Sequence, residues 1–498
     1  MVKRAAVFHW CSAVLLLCSA VTQAADLSIS PPSVQNDSNN VPITFTITNL
    51  SAGQSVTIEK YADLNDNGVV DTDEPLVHSF TVTDGQLPLI DGVRNLNVPG
   101  DDDGLENGQI SVHTVYPSVG TVVNRVAGHY LYKIAGDSVT VPFEVTQDTG
   151  LQQGVTGVIS AADSGQPLPN ILVLLTGLNG VGGFGTFTDS SGQYTIYATP
   201  GSWIVNGLAK GYVSNQVAGQ VMLTNQFVTL NLALSPGSFA ISGTVKDAST
   251  SAGIPGVTVT ASSSTSLVAA GFTDLSGAYS LMVSPGAWSV KPDQDALPEL
   301  GYVGVKKATV TVNNAPVVQD FSVPQATALF WGTVTDEQQN PVTVQVDATD
   351  SGNKYKAEGR SFGAGGMYTV GVVADSWNLG PNGSDAASLG FLGQTVSLSI
   401  SDGQAARRDF TLMSSGATPT PTLASGPLPT ATPIPCAGDC NGNSRVTVDE
   451  ILTLVEIALG STPIADCQAG DVDHDGMITV DEILTAVHNA LTGCPGGG

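Results

Sequence analysis

The chain has 498 residues, with 17 Lys and Arg against 44 Asp and Glu and a formal net charge of −27. That balance excludes a nucleic-acid partner or an anionic membrane surface recognised by clustered cations, because phosphate contacts need patches of Lys and Arg. Aromatic residues are sparse at 6% and charged ones at 12%, while 56 Gly and 28 Pro punctuate a chain rich in Thr, Ser and Val. This is a mostly β, turn-rich composition, and the length calls for several domains instead of one core.

At the N-terminus, Lys3 and Arg4 precede an apolar stretch centred on Ala13–Leu17 and a small-residue site at Thr22-Gln-Ala24. These are the three parts of a secretory signal, so residues 1–24 are expected to be a signal peptide and the exported chain to begin near Ala25 or Asp26. Cys18 follows Leu17, a residue too large for lipoprotein processing. The apolar run is too short for a bilayer, and no other segment approaches the ~20 apolar residues of a transmembrane helix. A secreted or cell-surface location follows.

Residues 26–149 form the first unit. Val41–Asn49 and Ser55–Glu59 alternate apolar and polar as half-buried strands do, and Ser79–Val82, Gln109–Tyr116 and Ser138–Val145 are further strand candidates. Turn clusters at Asn36–Asn40 and Gly100–Gly104 separate them, a spacing that suits an immunoglobulin-like sandwich. Inside this unit lies Asp63-Leu-Asn-Asp-Asn-Gly-Val-Val-Asp-Thr-Asp-Glu74. Asp63, Asn65, Asn67, Asp71 and Glu74 occupy oxygen-ligand positions of a twelve-residue calcium loop, with Gly68 at its sharp turn. Pro75 and the β-branched residues after it read as strand, so a calcium-stapled hairpin loop is expected in place of a helix-loop-helix hand.

From 152 to 413 the chain repeats itself, in copies spanning 152–235, 238–324 and 327–413. The first contains Val155-Thr-Gly157, Thr188-Asp189, Gly192-Gln-Tyr194, Pro200-Gly201-Ser-Trp203 and Gly211-Tyr212. The second contains Ile241-Ser-Gly243, Thr273-Asp274, Gly277-Ala-Tyr279, Pro285-Gly286-Ala-Trp288 and Gly301-Tyr302. The third is degenerate, keeping Trp331-Gly332, Gly366-Met-Tyr368, Trp377 and Gly390-Phe391 but replacing Pro-Gly by Ala374-Asp375. Asp189 and Asp274 are expected to open turns that Gly192 and Gly277 close at φ > 0, each Tyr to open a strand and each Trp to anchor a core. Glycine in the Val-x-Gly-x-Val strands implies a bulge or a close backbone approach. These residues resemble the carboxypeptidase regulatory-like domain, a transthyretin-like β-sandwich also described as a carbohydrate-binding-like fold. The resemblance implies a non-catalytic companion module, and no peptidase domain accompanies it here.

Residues 414–435 are a Pro/Thr linker, whose prolines favour a semi-rigid polyproline spacer. After it, residues 436–498 carry the calcium-loop pattern twice, offset by 32 (471 − 439). Loop one offers Asp439, Asn441, Asn443, the Arg445 carbonyl, Thr447 and Glu450, and loop two offers Asp471, Asp473, Asp475, the Met477 carbonyl, Thr479 and Glu482. Each loop leads into an amphipathic helix, with Ile451, Leu454, Val455, Ala458 and Leu459 matched by Ile483, Ala486, Val487, Ala490 and Leu491. Val446 and Ile478 can pair between the loops. Loop two has four carboxylates and Gly476, whereas loop one has two and Ser444, so loop two is expected to bind Ca2+ more tightly. Cys11 and Cys18 leave with the signal, and Cys436, Cys440, Cys467 and Cys494 all fall in this module. An exported setting favours disulfides over zinc, since His474 and His488 lack zinc-ligand spacing. Of three connectivities, the expectation is Cys436–Cys494 with Cys440–Cys467, because a paired-loop fold brings its ends together. The duplicated loop and helix resemble a dockerin, which implies docking to a cohesin-like or other surface protein. Glu instead of Asp at position 12, the added cysteines, and Val448-Asp449 and Val480-Asp481 at the partner-recognition positions depart from that family.

No Gly-x-Ser-x-Gly, phosphate loop or His-Glu-x-x-His occurs, and His78, His113, His129, His474 and His488 join no catalytic motif. The sequence therefore describes tandem immunoglobulin-like and transthyretin-like β-sandwiches, a Pro/Thr linker and a small α-helical paired calcium-loop domain, without catalytic activity. The competing reading is a carbohydrate-binding accessory or glycoside hydrolase component of extracellular polysaccharide breakdown. It would place glycan on the sandwiches, with Trp203, Trp288 and Trp377 as the aromatic candidates.

Overall fold

The computed structural model describes residues 24–38, 41–116, 125–178, 183–294, 296–363, 365–415, 437–441, 443, 445–458, 461–470, 478 and 480–492. Residues 1–23 of the expected signal, residues 416–435 of the expected linker, Cys436, Cys494, Ser444, and Asp471, Asp473, Asp475, Met477 and Thr479 of the last loop lie outside them. The chain divides into two compact units, Met1–Ala417 and Thr418–Gly498.

In the first unit, alternation builds four sandwich cores. Ile43, Phe45 and Ile47 face inward from Val41–Thr48, which lies between Asp26–Ser30 and Ile110–Tyr116. Opposite them, Ser55–Asp63 runs antiparallel to both Leu76–Thr83 and Val126–Ile134, and Val141–Thr146 continues that sheet. Phe45, Ile58, Phe80, Tyr132 and Phe143 meet between the two layers. The last strand starts later than its sequence suggests. Ser138 and Val139 donate their N–H groups to the Asp137 carboxylate after Gly136 at φ 83°, which holds them in a turn.

The three repeats share one topology. In the second, Phe239–Asp247 lies between antiparallel Ala278–Val283 and the parallel pieces Val317–Val318 and Phe321–Val323. Its facing sheet runs Leu267–Phe272, Thr258–Ser263, Gly286–Pro292, Ala308–Val312. The first repeat builds the same pair of layers around Gly154–Ala161 and Leu172–Gly177. The third does so around Ala328–Asp336 and Gln345–Asp350, despite its degenerate sequence.

The sandwiches are joined edge to strand. Val126 and Ala127 pair with Gly185 and Thr186 at the edge of the first repeat. Ser214 and Asn215 of that repeat cover the second at Val268 and Leu267, and Gly304 and Val305 of the second cover the third at Lys356 and Tyr355. In every repeat the strand so covered is the third, whose unpaired backbone groups would otherwise invite foreign strands.

In the second unit, Val448–Ala458 and Val480–Thr492 are helices around a core of Val446, Leu454, Ile457, Cys467, Ile478 and Ala486. The expected stripe is corrected at one position in each helix. Ile457 is buried where Ala458 was expected, and Asn489 where Ala490 was expected; both alanines are exposed. Glu450, Leu454 and Ile457 follow i, i+4, i+7, the spacing that starts from the buried loop glutamate and not from Ile451. Asn489 is held there by donating to the Ala437 carbonyl at 2.9 Å. The Cys440–Cys467 disulfide forms as the sequence implies.

Candidate functional site

The Asp63–Glu74 segment connects Ser55–Asp63 to Leu76–Thr83, two strands paired up to Tyr61 and Leu76. Asp63 and Glu74 are both buried at the loop's base. Asp63 accepts the N–H groups of Asn67 and Gly68, and Gly68 sits at φ 74°, the left-handed conformation that the sharp turn demands. Asn65 and Asn67 both donate side-chain amides to Asp71 Oδ2 at 2.8 Å. From the adjoining strand region, Thr140 donates its hydroxyl to the Gly68 carbonyl at 2.9 Å. Burial raises the Glu74 carboxyl; hydrogen bonds from the Asp71 and Leu64 N–H groups pull it down, while the charges of Asp63 and Asp71 add to the rise.

The first terminal loop sits in a different setting, before a helix, yet it is wired the same way. Counting from each leading aspartate, the fifth residue's N–H donates to the first side chain: Asn67 to Asp63 at 3.1 Å, Asn443 to Asp439 at 3.0 Å. The same N–H donates to the third side chain, Asn65 at 3.2 Å and Asn441 at 3.0 Å. The seventh N–H reaches the fifth side chain, Val69 to Asn67 at 2.7 Å and Arg445 to Asn443 at 2.9 Å. The ninth reaches the closing glutamate, Asp71 to Glu74 at 2.9 Å and Thr447 to Glu450 at 2.8 Å. Among the described residues no group of three or more His, Cys, Asp and Glu side chains is gathered closely enough to hold a metal by itself. Beside their carboxylates both loops carry Asn side-chain and main-chain oxygens. Of the second terminal loop, Glu482 is described and buried.

A search of solved structures aligns this chain with bacterial proteins, pilins among them. No family model matches it, and a search of curated proteins finds no match. Among solved structures, the Bacillus anthracis TIE protein aligns at 11% identity over 78% of this chain and 75% of its own, with a TM-score of 0.18. A streptococcal ancillary pilin aligns at 15% identity over 55% and 93%, with a TM-score of 0.17. BcpA, the major pilin subunit of Bacillus cereus, aligns at 10% identity over 53% and 99%, with a TM-score of 0.15. Likenesses at this level carry no argument about activity or partner.

The repeated residues of the sandwiches turn inward. Trp203, Trp288 and Trp377 are buried, and each donates its indole N–H to a carbonyl four residues back, Thr199, Ser284 and Val373. None of the three offers a face to a sugar, which corrects their candidacy as a glycan platform. Asp189 and Asp274 each accept N–H groups two and four residues on, as turn openers do, with Gly192 and Gly277 at φ 75°. Sequence reasoning missed Ser361, which does in the third repeat what Thr188 and Thr273 do in the others. Each hydroxyl donates to one carbonyl (Val342, Leu168 or Ile254) and accepts one N–H (Val344, Ile171 or Val257).

Sequence reasoning also missed Lys60. It follows Val56 and Ile58 and precedes Ala62 on the inward face of the central strand, where alternation calls for an apolar side chain, and it is only 8% exposed. Its Nζ lies 4.1 Å from the Tyr130 ring centroid, 5.6 Å from Tyr132 and 5.7 Å from Phe143. Burial lowers this amine to about 8, partly opposed by the charge of Glu299. Beside it, burial lowers His78 to about 4 and the Lys60 charge adds to that fall. Both residues line a cavity of about 320 Å³ that the first sandwich shares with Glu299 of the second repeat and Arg360 and Phe362 of the third. The signal available in the sequence was the broken alternation Val56-x-Ile58-x-Lys60-x-Ala62.

Proposed function

We propose that this chain is an exported, non-catalytic modular protein whose β-sandwiches are carried on a calcium-dependent docking module, with a further Ca2+ in the first sandwich. The observation supporting it is the shared wiring of two loops in unrelated surroundings, one closing a β-hairpin and one opening a helix. A merely polar turn has no reason to repeat four hydrogen bonds at the same positions. In the first loop Asp63, Asn65, Asn67, the Val69 carbonyl, Asp71 and Glu74 would hold the ion; in the terminal module the two sets headed by Asp439 and Asp471 would do so. The bound ion would tie strand to strand in one place and the entering chain to a helix in the other, since oxygen ligands from both ends of a loop close around it. The resemblance to dockerins implies a cohesin-like or other surface protein as the partner.

Calorimetry on the full chain tests the reading, with three Ca2+ expected per chain. Asp63→Ala should remove one site and leave the other two. Asp471→Ala should remove the tighter of the terminal pair, and Asp439→Ala the weaker. Absence of saturable heat, or heat unchanged by all three variants, would overturn the calcium assignment. Capture of a cohesin-type receptor domain in Ca2+ but not in chelator tests the docking role separately.

A further inference from the structure

We propose that residues 391–394, at the uncovered end of the third repeat, pair with the same residues of a second copy of this chain and form a two-fold symmetric dimer. The matching residues of the other repeats, Tyr212–Asn215 and 302–305, work as straps. The first residue of each pairs with the returning chain of its own repeat, Tyr212 with Pro236 and Tyr302 with Gln325. The last two cover the third strand of the next repeat by antiparallel pairing. Between them, Val213 and Val303 are 2% and 0% exposed, because each plugs the core of the repeat that follows. The third repeat builds the same strap. Phe391 pairs with Ser414, and the Leu392 N–H donates to the Met413 carbonyl as that of Val303 does to Pro324. Leu392 stands where those valines stand, yet it is 54% exposed. Among the described residues Gly393 and Gln394 pair with no strand, and Leu389 and Met413 are exposed as well. This is an apolar plug with no core to enter, on a patch that calls for a partner.

The rest of the chain restricts what can cover it. The third strands of all three repeats are already paired by the module before them. The corresponding hairpin strand of the first sandwich, Leu76–Thr83, is met at His78 and Ser79 by Gly256 of the second repeat, where a Cβ would stand 2.9 Å from the His78 backbone. A second copy therefore offers an incoming strap no vacant third strand, but it does offer its own strap. Antiparallel pairing of a segment with its own copy obeys a two-fold axis, so one patch serves both partners and assembly closes at two. Leu392 of each copy would then lie against Leu389 and Met413 of the other. Charge favours the same place. Chains of net charge −27 repel one another, but residues 386–401 and 410–415 contain no charged side chain. Asp385, Asp402 and Asp409, which bound these stretches, accept hydrogen bonds from Gln345, Thr327 and Thr333 of their own repeat, and Glu337 accepts one from Ser414.

Sedimentation equilibrium of the full chain in Ca2+ tests the contact. A reversible monomer–dimer equilibrium is expected. Leu392→Asp should weaken it by roughly tenfold or more, since the change removes apolar burial from both copies and sets two like charges at the contact. Leu392 is exposed, so circular dichroism of this variant should match the parent. Leu392→Cys should oxidise to a dimer linked between the two residues 392, which peptide mapping identifies and a seat on any other edge would not give. A monomer at every concentration, or a dimer undiminished in Leu392→Asp, would overturn the proposal. Species growing beyond two would overturn the two-fold arrangement and place the strap on an edge strand of the next copy.

Discussion

Tyr279 and Gly243 face each other across two paired strands and share one target, the main-chain carbonyl of Gln319. The tyrosine hydroxyl donates to that oxygen at 2.6 Å, and a Cβ on the glycine would stand 1.9 Å from it. The other repeats do the same: Tyr194 and Gly157 at Leu230, Tyr368 and Gly332 at Arg408. The glycine admits the returning chain and the tyrosine satisfies its carbonyl, which pins the parallel closing strand to the sheet.

Gly243→Ala should therefore destabilise the second repeat by about 3 kcal/mol, because the clash is with backbone that cannot swing aside. Tyr279→Phe, which leaves the carbonyl without that partner, should cost about 1–2 kcal/mol. Gly383→Ala meets nothing within 4 Å and opens the helix Gly383–Ser388, so a change within about 1 kcal/mol is expected. Peptide-level hydrogen exchange reads all three, with lost protection expected in Phe239–Asp247 and Ala278–Val283 for the first two only.

Lys60 and His78 give stability a defined pH dependence. Burial takes Lys60 from its ordinary 10.5 to about 8, so between those values the unfolded chain holds the extra proton and stability rises with pH. The gain is on the order of 3 kcal/mol across the window. Burial pushes the Tyr116 and Tyr132 hydroxyls well above 10, so past about pH 10 the unfolded chain gives up protons that the folded chain keeps, and stability falls. His78, brought from 6.5 to about 4, makes stability fall as pH drops across that interval, because only the unfolded chain takes up the proton. Urea denaturation should show the alkaline rise in the parent chain and lose it in Lys60→Met.

The Cys440–Cys467 bridge spans 27 residues and places one sulfur at the second position of the first terminal loop. Closing a loop of that size stabilises by about 3 kcal/mol through the unfolded chain. Cys440→Ser is expected to lower the helical circular dichroism of the terminal module in chelator and to be partly rescued by Ca2+. An unchanged spectrum in both conditions would remove the bridge from the stability of this module.

The sequence by itself determined what lies within a short window. The twelve-residue loop pattern, the Asp-x-x-Gly turns and the alternating strands depend on local geometry and on a duplicated pattern, so they could be read from residue order. The close backbone approach at Gly157, Gly243 and Gly332 was legible as a need, but not its target. Gln319 lies 40 residues from Tyr279, and only the closed sandwich brings it there. Tertiary structure alone decided that Ile457 and Asn489 turn inward in place of their alanine neighbours, and that each repeat's third strand is covered by the module before it. It also decided where Lys60 points. Alternation shows which parity of a strand is inward, but what a buried cation meets is set by the strands and modules that close over it, and these come from distant parts of the chain.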